Sequence, residues 1–140
     1  MSANIEVVRR LFTAVENRNL ATILDSYHED IEVIESGSLP YGGIYHGHDG
    51  VRRHAEGFMA AWGEYQGEHE VKLDATFTET DDGRVVALFR HRAFDPERGE
   101  RLDTAEIGVY EVREGKVARS QMFHFDPLPL NGFLNPRSGR

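Results

Sequence analysis

Three side chains stand out for proton chemistry, each a polar member of a strand-like run whose same-face neighbours are largely apolar. Glu35 closes the run 31–35 on the face it shares with Ile31 and Val33. Glu106 alternates with Gly108 inside the run 102–112, and His124 shares a face of the run 117–125 with Ser120, Met122 and Asp126. Burial raises the pKa of a carboxyl and lowers that of an imidazole, so both move towards neutrality, where a group can give and take protons. The expectation is that Glu35, Glu106 and His124 supply a general acid or base. Against it stand a solvated strand-end acid at 35, an exposed sheet-face acid at 106, and a core histidine between Phe123 and Phe125.

A second group reads as cavity wall. His91 is the sole polar member of the face carrying Val85, Ala87, Phe89 and Ala93, the pattern of a hydrogen-bonded wall histidine. Tyr41, Tyr45 and Trp62 combine apolar area with one donor and suit the lining or lid of a pocket. The substrate-contact set is Tyr41, Trp62, His91, Phe89, Met122 and Asp126, although Asp126 beside Pro127 also fits a turn. No metal or organic cofactor is expected. The chain has no cysteine, no HExxH pattern and no phosphate-binding glycine motif, and His46 and His48 lie two apart in a glycine-rich loop without further ligands nearby.

These residues need elements to position them. Ile5, Val8, Leu11, Phe12 and Val15 recur at helical spacing over residues 4–17, with Ser2 or Asn4 able to cap. Leu20, Ile23, Leu24 and Tyr27 predict a second helix that stops at residues 28–30, and Val51, Ala55, Phe58, Met59 and Trp62 a third over 49–62. Between them the run 31–35 predicts a strand and residues 37–48 a loop. Strands are expected at 71–80, 85–94, 102–112 and 117–125, joined by turns at Asp82-Gly83 and Glu114-Gly115 into an antiparallel meander. Helices followed by strands imply an α+β domain over residues 1–127, with 128–140 as an irregular tail.

Composition narrows the classes. A chain of 140 residues with 39% hydrophobic and 29% charged residues fits one globular domain. The formal net charge of -8 disfavours nucleic acid as a partner, and Arg9-Arg10 and Arg52-Arg53 fit solvated helix faces. No apolar run suits a membrane span or signal peptide, so a cytoplasmic protein is expected. Val86, Leu88, Ile107 and Val109 leave the outer sheet face apolar enough to predict a homodimer through it.

Four stretches resemble the SnoaL-like branch of the nuclear transport factor 2 superfamily. They are Val7 through Ala14 with the later Asn19-Leu20 and Asp30 to Val33 segments, LPYGGIYHGHDGV at 39–51, Ala61-Trp62, and Gly115-Lys116-Val117 before Phe125-Asp126-Pro127. The resemblance implies a cone-shaped α+β barrel around one apolar pocket. It implies a cyclase or isomerase of specialised metabolism, acting without cofactor on a hydrophobic, carbonyl-bearing, polyketide-like molecule. It also admits a non-catalytic lipophilic-ligand or dimerisation protein, and an epoxide hydrolase or dehydratase. Glu35 stands near the position of the ketosteroid isomerases' catalytic base. Gly108 falls where relatives keep a histidine or a protonated aspartic acid, Met122 at the hydrolases' carboxylate position, and no tyrosine matches the isomerases' phenol on the first helix.

Overall fold

The computed structural model describes residues 2–62 and 72–138. Helix α1 (Ala3–Glu16) starts where the Ser2 hydroxyl accepts from the Ile5 N–H at 2.9 Å, and it buries Val8, Leu11 and Phe12 along one stripe. A short α2 (Leu20–Asp25) is capped by Asn19, whose side chain accepts from Thr22 N. Tyr27 then opens β1 (Tyr27–Glu35) instead of closing α2, so the strand begins four residues earlier than the apolar pattern predicts.

After β1 come β2 (Gly43–His46), α3 (Gly47–Trp62), β3 (Thr76–Glu79), β4 (Val85–Asp95), β5 (Glu100–Arg113), β6 (Lys116–His124) and α4 (Pro127–Ser138). The six strands form one curved sheet in the order β2-β1-β6-β5-β4-β3. All neighbours are antiparallel except β1 and β6, which run parallel because α3 and the meander lie between them in the chain. The helices pack on one face, giving the expected cone-shaped α+β fold with an open sheet edge. Among the described residues no helix is long and apolar enough to cross a membrane.

Several expectations give way. Residues 37–48 are not all loop: the chain turns at Leu39 to Gly42 and returns as β2, paired to β1 from Glu32–His46 to Glu35–Gly43. Gly42 makes that return possible, since a Cβ there would lie 2.0 Å from the Ser36 carbonyl oxygen. The strand expected from Val71 begins at Thr76; Val71 itself lies outside the described residues. The tail is helical, not irregular. Asp126 accepts from Leu128 N at 3.1 Å, Pro127 takes the first helical position, and Leu130, Phe133 and Leu134 fall at helical spacing. Those three join Leu39, Tyr41, Ala61, Trp62, Ala93 and Leu102 in a second core cluster that closes one end of the sheet.

Candidate functional site

Sheet register assembles the site. In the β5–β6 ladder Glu106 stands opposite His124, and the parallel β1–β6 pairing brings the end of β1 alongside. His124 Nε2 consequently lies 2.9 Å from Glu35 Oε1 and 2.8 Å from Glu106 Oε1. All three side chains are almost fully buried, at 3%, 5% and 2% exposure for His124, Glu35 and Glu106. Glu35 Oε1 also accepts from the Ser36 N–H at 3.1 Å. On the far side of Glu106, His91 Nε2 sits 2.8 Å from Oε2, close but off hydrogen-bond alignment. Helix α3 adds His54, whose Nε2 is 3.8 Å from Glu35 Oε2, and Trp62, which stacks on His91 with ring centroids 4.9 Å apart and 13° between planes.

The electrostatics run opposite to the sequence expectation that burial pulls these groups to neutrality. Burial does oppose the charge on His124, but hydrogen bonds to Glu106 and Glu35 and their negative charges overcome it and raise the pKa to about 10. Burial likewise works against Glu106, and the His91 ring beside it, the hydrogen bond from His124 and the charge of His124 pull it down to about 2. Glu35 is also lowered: desolvation is outweighed by His124 and the nearby His54 ring, while the Glu106 charge pushes the other way. Opposite charge beats desolvation at all three positions, so the cluster is an imidazolium held between two carboxylates.

The two carboxylates face a cavity of about 110 Å³. Its wall is largely apolar, with Phe12, Val33, Phe58 and Phe89 from four elements, and the polar groups of His54, His91, Tyr110 and Ser120. The SnoaL-like domain family matches residues 8–120 of the chain. The chain belongs to the SnoaL-like family. An uncharacterised protein of Mycobacterium tuberculosis H37Rv is 30% identical over 131 residues, 94% of this chain and 95% of its own. Among solved structures, TerC co-crystallised with polyporic acid superposes with a TM-score of 0.78 at 22% identity, covering 96% of this chain and 99% of TerC. An NTF2-like protein of unknown function from Burkholderia pseudomallei superposes at 0.79 with 24% identity, covering 96% and 98%.

Within this SnoaL-like cone, Glu35, Glu106, Trp62, His91, Phe89 and Met122 all line the cavity. His124 does not: it lies behind the carboxylates and acts on them rather than on a bound molecule. Tyr41 is buried outside the lining, where its hydroxyl accepts from Trp62 Nε1 at 2.9 Å and fixes the indole over His91. Tyr45 donates to the carbonyl oxygens of Tyr41 and Gly42, tying down the loop between β1 and β2. Asp126 is exposed and caps α4, so the turn expectation holds for it and the substrate-contact expectation does not. His46 and His48 diverge, the first exposed beside Glu32 and the second bonded to the Tyr27 carbonyl. The expectation that no metal-competent triad converges fails at another place, because ligand atoms of Glu35, Glu106 and His124 lie within 4.8 Å of one another.

His54, Tyr110 and Ser120 also line the cavity, outside the set of site residues expected from sequence. His54 precedes Phe58 and Trp62 by four and eight positions on the inner stripe of α3, a signal that helical spacing carries. Tyr110 follows Glu106 and Gly108 on the inward face of β5. A Cβ at Gly108 would lie 2.6 Å from the Tyr110 hydroxyl, so the phenol ring occupies the space that a side chain at 108 would need. Ser120 stands across from Tyr110 in the β5–β6 ladder, and its side chain hydrogen-bonds the phenol.

The pKa shifts fix the pH dependence of stability. The raised His124 contributes fully below its unfolded value of 6.5, and that contribution drains away as pH rises through about 10. The lowered carboxyls contribute fully above their unfolded value of 4.5, and Glu106 loses its share as pH falls through about 2. Melting temperature should therefore plateau between roughly pH 5 and 6.5 and fall on both sides. His124→Gln should lose the alkaline decline specifically, and identical alkaline slopes in the two proteins would contradict the charged His124.

Proposed function

We propose that the protein is an acid–base enzyme acting on a hydrophobic, carbonyl-bearing small molecule of the polyketide type, with Glu35 as the group that carries the proton. The observation behind this is the pair of buried carboxylates at the wall of an apolar cavity, with His124 between them and His91 against the second. The two acids are not equivalent. Glu106 is flanked by His124 and His91, each at 2.8 Å, so it remains the fixed counter-ion. The second oxygen of Glu35 lies 3.8 Å from His54 Nε2, a longer contact than the 2.8 Å from Glu106 Oε2 to His91, leaving it the less restrained acceptor.

In the proposed step a C–H bond beside the substrate carbonyl breaks, its proton goes to Glu35, and the electron pair moves onto the carbonyl oxygen as an enolate. The enolate carbon then attacks a second carbonyl carbon of the same molecule, whose π pair becomes an alkoxide that takes the proton back from Glu35 as the ring closes; in an isomerisation the extended enolate instead takes that proton at its remote carbon and the carbonyl re-forms. The cavity limits what reaches the acids. At about 110 Å³ it is smaller than the engineered apolar cavity of ~150 Å³ that holds one benzene. A polyketide-sized substrate would insert one carbonyl-bearing edge and leave the rest at the mouth. The polyporic acid co-crystallised with TerC, a structural relative, is a starting point for choosing such a molecule.

Incubating the protein in D₂O with a panel of aryl and polycyclic ketones that carry a C–H on the carbon beside the carbonyl, and reading carbon-bound deuterium by mass spectrometry, tests the proton step without knowing the product. Glu35→Gln should slow exchange by about 10²-fold or more. Exchange at the wild-type rate in a folded Glu35→Gln protein would remove Glu35 from the mechanism. No exchange in the wild type, with ligand still bound, would support the non-catalytic lipophilic-binding reading instead.

A second copy of the chain is the partner we propose for the outer sheet face. Leu88, Ile107 and Phe123 sit side by side across β4, β5 and β6 and are 49%, 41% and 48% exposed, a contiguous apolar strip. Light scattering at micromolar concentration should give a dimer mass that Ile107→Lys reduces to the monomer; a monomeric wild type would exclude this interface.

A further inference from the structure

We infer that Glu35, Glu106 and His124 form a site for one divalent first-row transition cation, with its open coordination position facing the cavity. The inference stands apart from the acid–base reading, since it rests on ligand geometry alone. Around an ion with bonds of ~2.0–2.1 Å, ligands at right angles stand about 3 Å apart. The edges from His124 Nε2 to the two carboxylate oxygens, 2.9 and 2.8 Å, already have that size. A single N–H cannot point squarely at two acceptors at once, whereas a cation between them engages all three donors.

A separate observation points to a missing partner. Glu106 Oε2 and His54 Nε2 are buried and have no hydrogen-bond partner among the described residues, though each borders the cluster. Glu106 is only 2% exposed, and its Oε2 faces His91 Nε2 at 2.8 Å without the alignment of a hydrogen bond, which leaves a deeply buried carboxylate oxygen under-satisfied and is costly. Bidentate binding by Glu106, or recruitment of His54 as a fourth donor, would relieve this. The donor set of carboxylates and imidazole, without thiolate, suits Zn²⁺, Co²⁺, Mn²⁺ or Fe²⁺ better than Mg²⁺ or Ca²⁺, which take oxygen ligands. Because Glu35 and Glu106 line the cavity, an ion between them would present its free position to a substrate oxygen as a Lewis acid. It would take the place of the proton on His124 Nε2, which leaves to solvent.

Tag-free, metal-stripped protein titrated with Co²⁺, followed by visible absorption, and with Zn²⁺ by calorimetry in two buffers of different ionisation enthalpy, tests this directly. Expected are one equivalent per chain, the intense d–d bands of four- or five-coordinate Co²⁺, and proton release on binding. Glu35→Gln, checked for folding by circular dichroism, should weaken binding by at least about tenfold. His46→Ala should leave it unchanged. The site is disproved by no saturable binding to wild type at micromolar concentration, by the weak spectrum of hexaaqua Co²⁺, or by binding that survives Glu35→Gln and disappears in His46→Ala. None of these readouts involves turnover, so failure of the cation site and failure of the acid–base reading are distinguishable.

Discussion

The organisation of the molecule follows from burying an imidazolium between two carboxylates. Taking three charges out of water costs several kcal/mol per ion, and mutual attraction returns that only when the geometry is tight. Here the geometry is set by backbone ladders: β5 and β6 place Glu106 opposite His124, and the parallel docking of β1 on β6 brings Glu35 to the same nitrogen. A register slip of one residue in either ladder would turn a charged side chain out of the cluster and leave its partners uncompensated. The surrounding parts hold this arrangement. Tyr41 accepts from Trp62, Trp62 stacks on His91, and His91 borders Glu106, a chain of contacts running from the β1–β2 loop to the counter-ion.

Period-two alternation made the inward faces legible. Glu35, Glu106, His91, Phe89 and Met122 could be assigned to the cavity from their neighbours alone, because each strand buries one face and every second residue shares it. What alternation could not reveal was which inward residues meet. Glu35 and His124 are 89 residues apart in the chain, and their contact depends on a parallel pairing that no local pattern encodes. The protonation states were misread for that reason: burial alone pushes acids up and histidine down, while burial beside opposite charge does the reverse. The same gap hid the convergent metal-competent donors. At the C-terminus three prolines and a glycine argued against regular structure, but tertiary burial of Leu130, Phe133 and Leu134 stabilises a helix that propensity disfavours.

Within the SnoaL-like fold, the cavity wall beyond the carboxylates takes polar groups from Tyr110 and Ser120. With glycine at 108, the Tyr110 phenol fills the space beside it and Ser120 hydrogen-bonds it, so a hydroxyl stands on that wall although no side chain projects from 108. Burial holds the Tyr110 phenol protonated well above its ordinary range, as do the charges of Tyr27, Glu106 and Glu35, which keeps it a hydrogen-bond donor rather than a phenolate at neutral pH. The cavity thus combines the carboxylates of Glu35 and Glu106 with the Tyr110 phenol in a largely apolar wall and a volume of about 110 Å³.

The charge state of His124 underlies this account, and ¹⁵N NMR of histidine-labelled, metal-free protein reads it most directly. Both ring nitrogens of His124 should show the shifts of a doubly protonated imidazolium at pH 8, and the resonances should titrate near about 10. A His124 ring that is neutral at pH 8, with separate protonated and unprotonated nitrogen shifts and a midpoint below 7, would show that the carboxylates do not hold it charged and would contradict the ionised cluster.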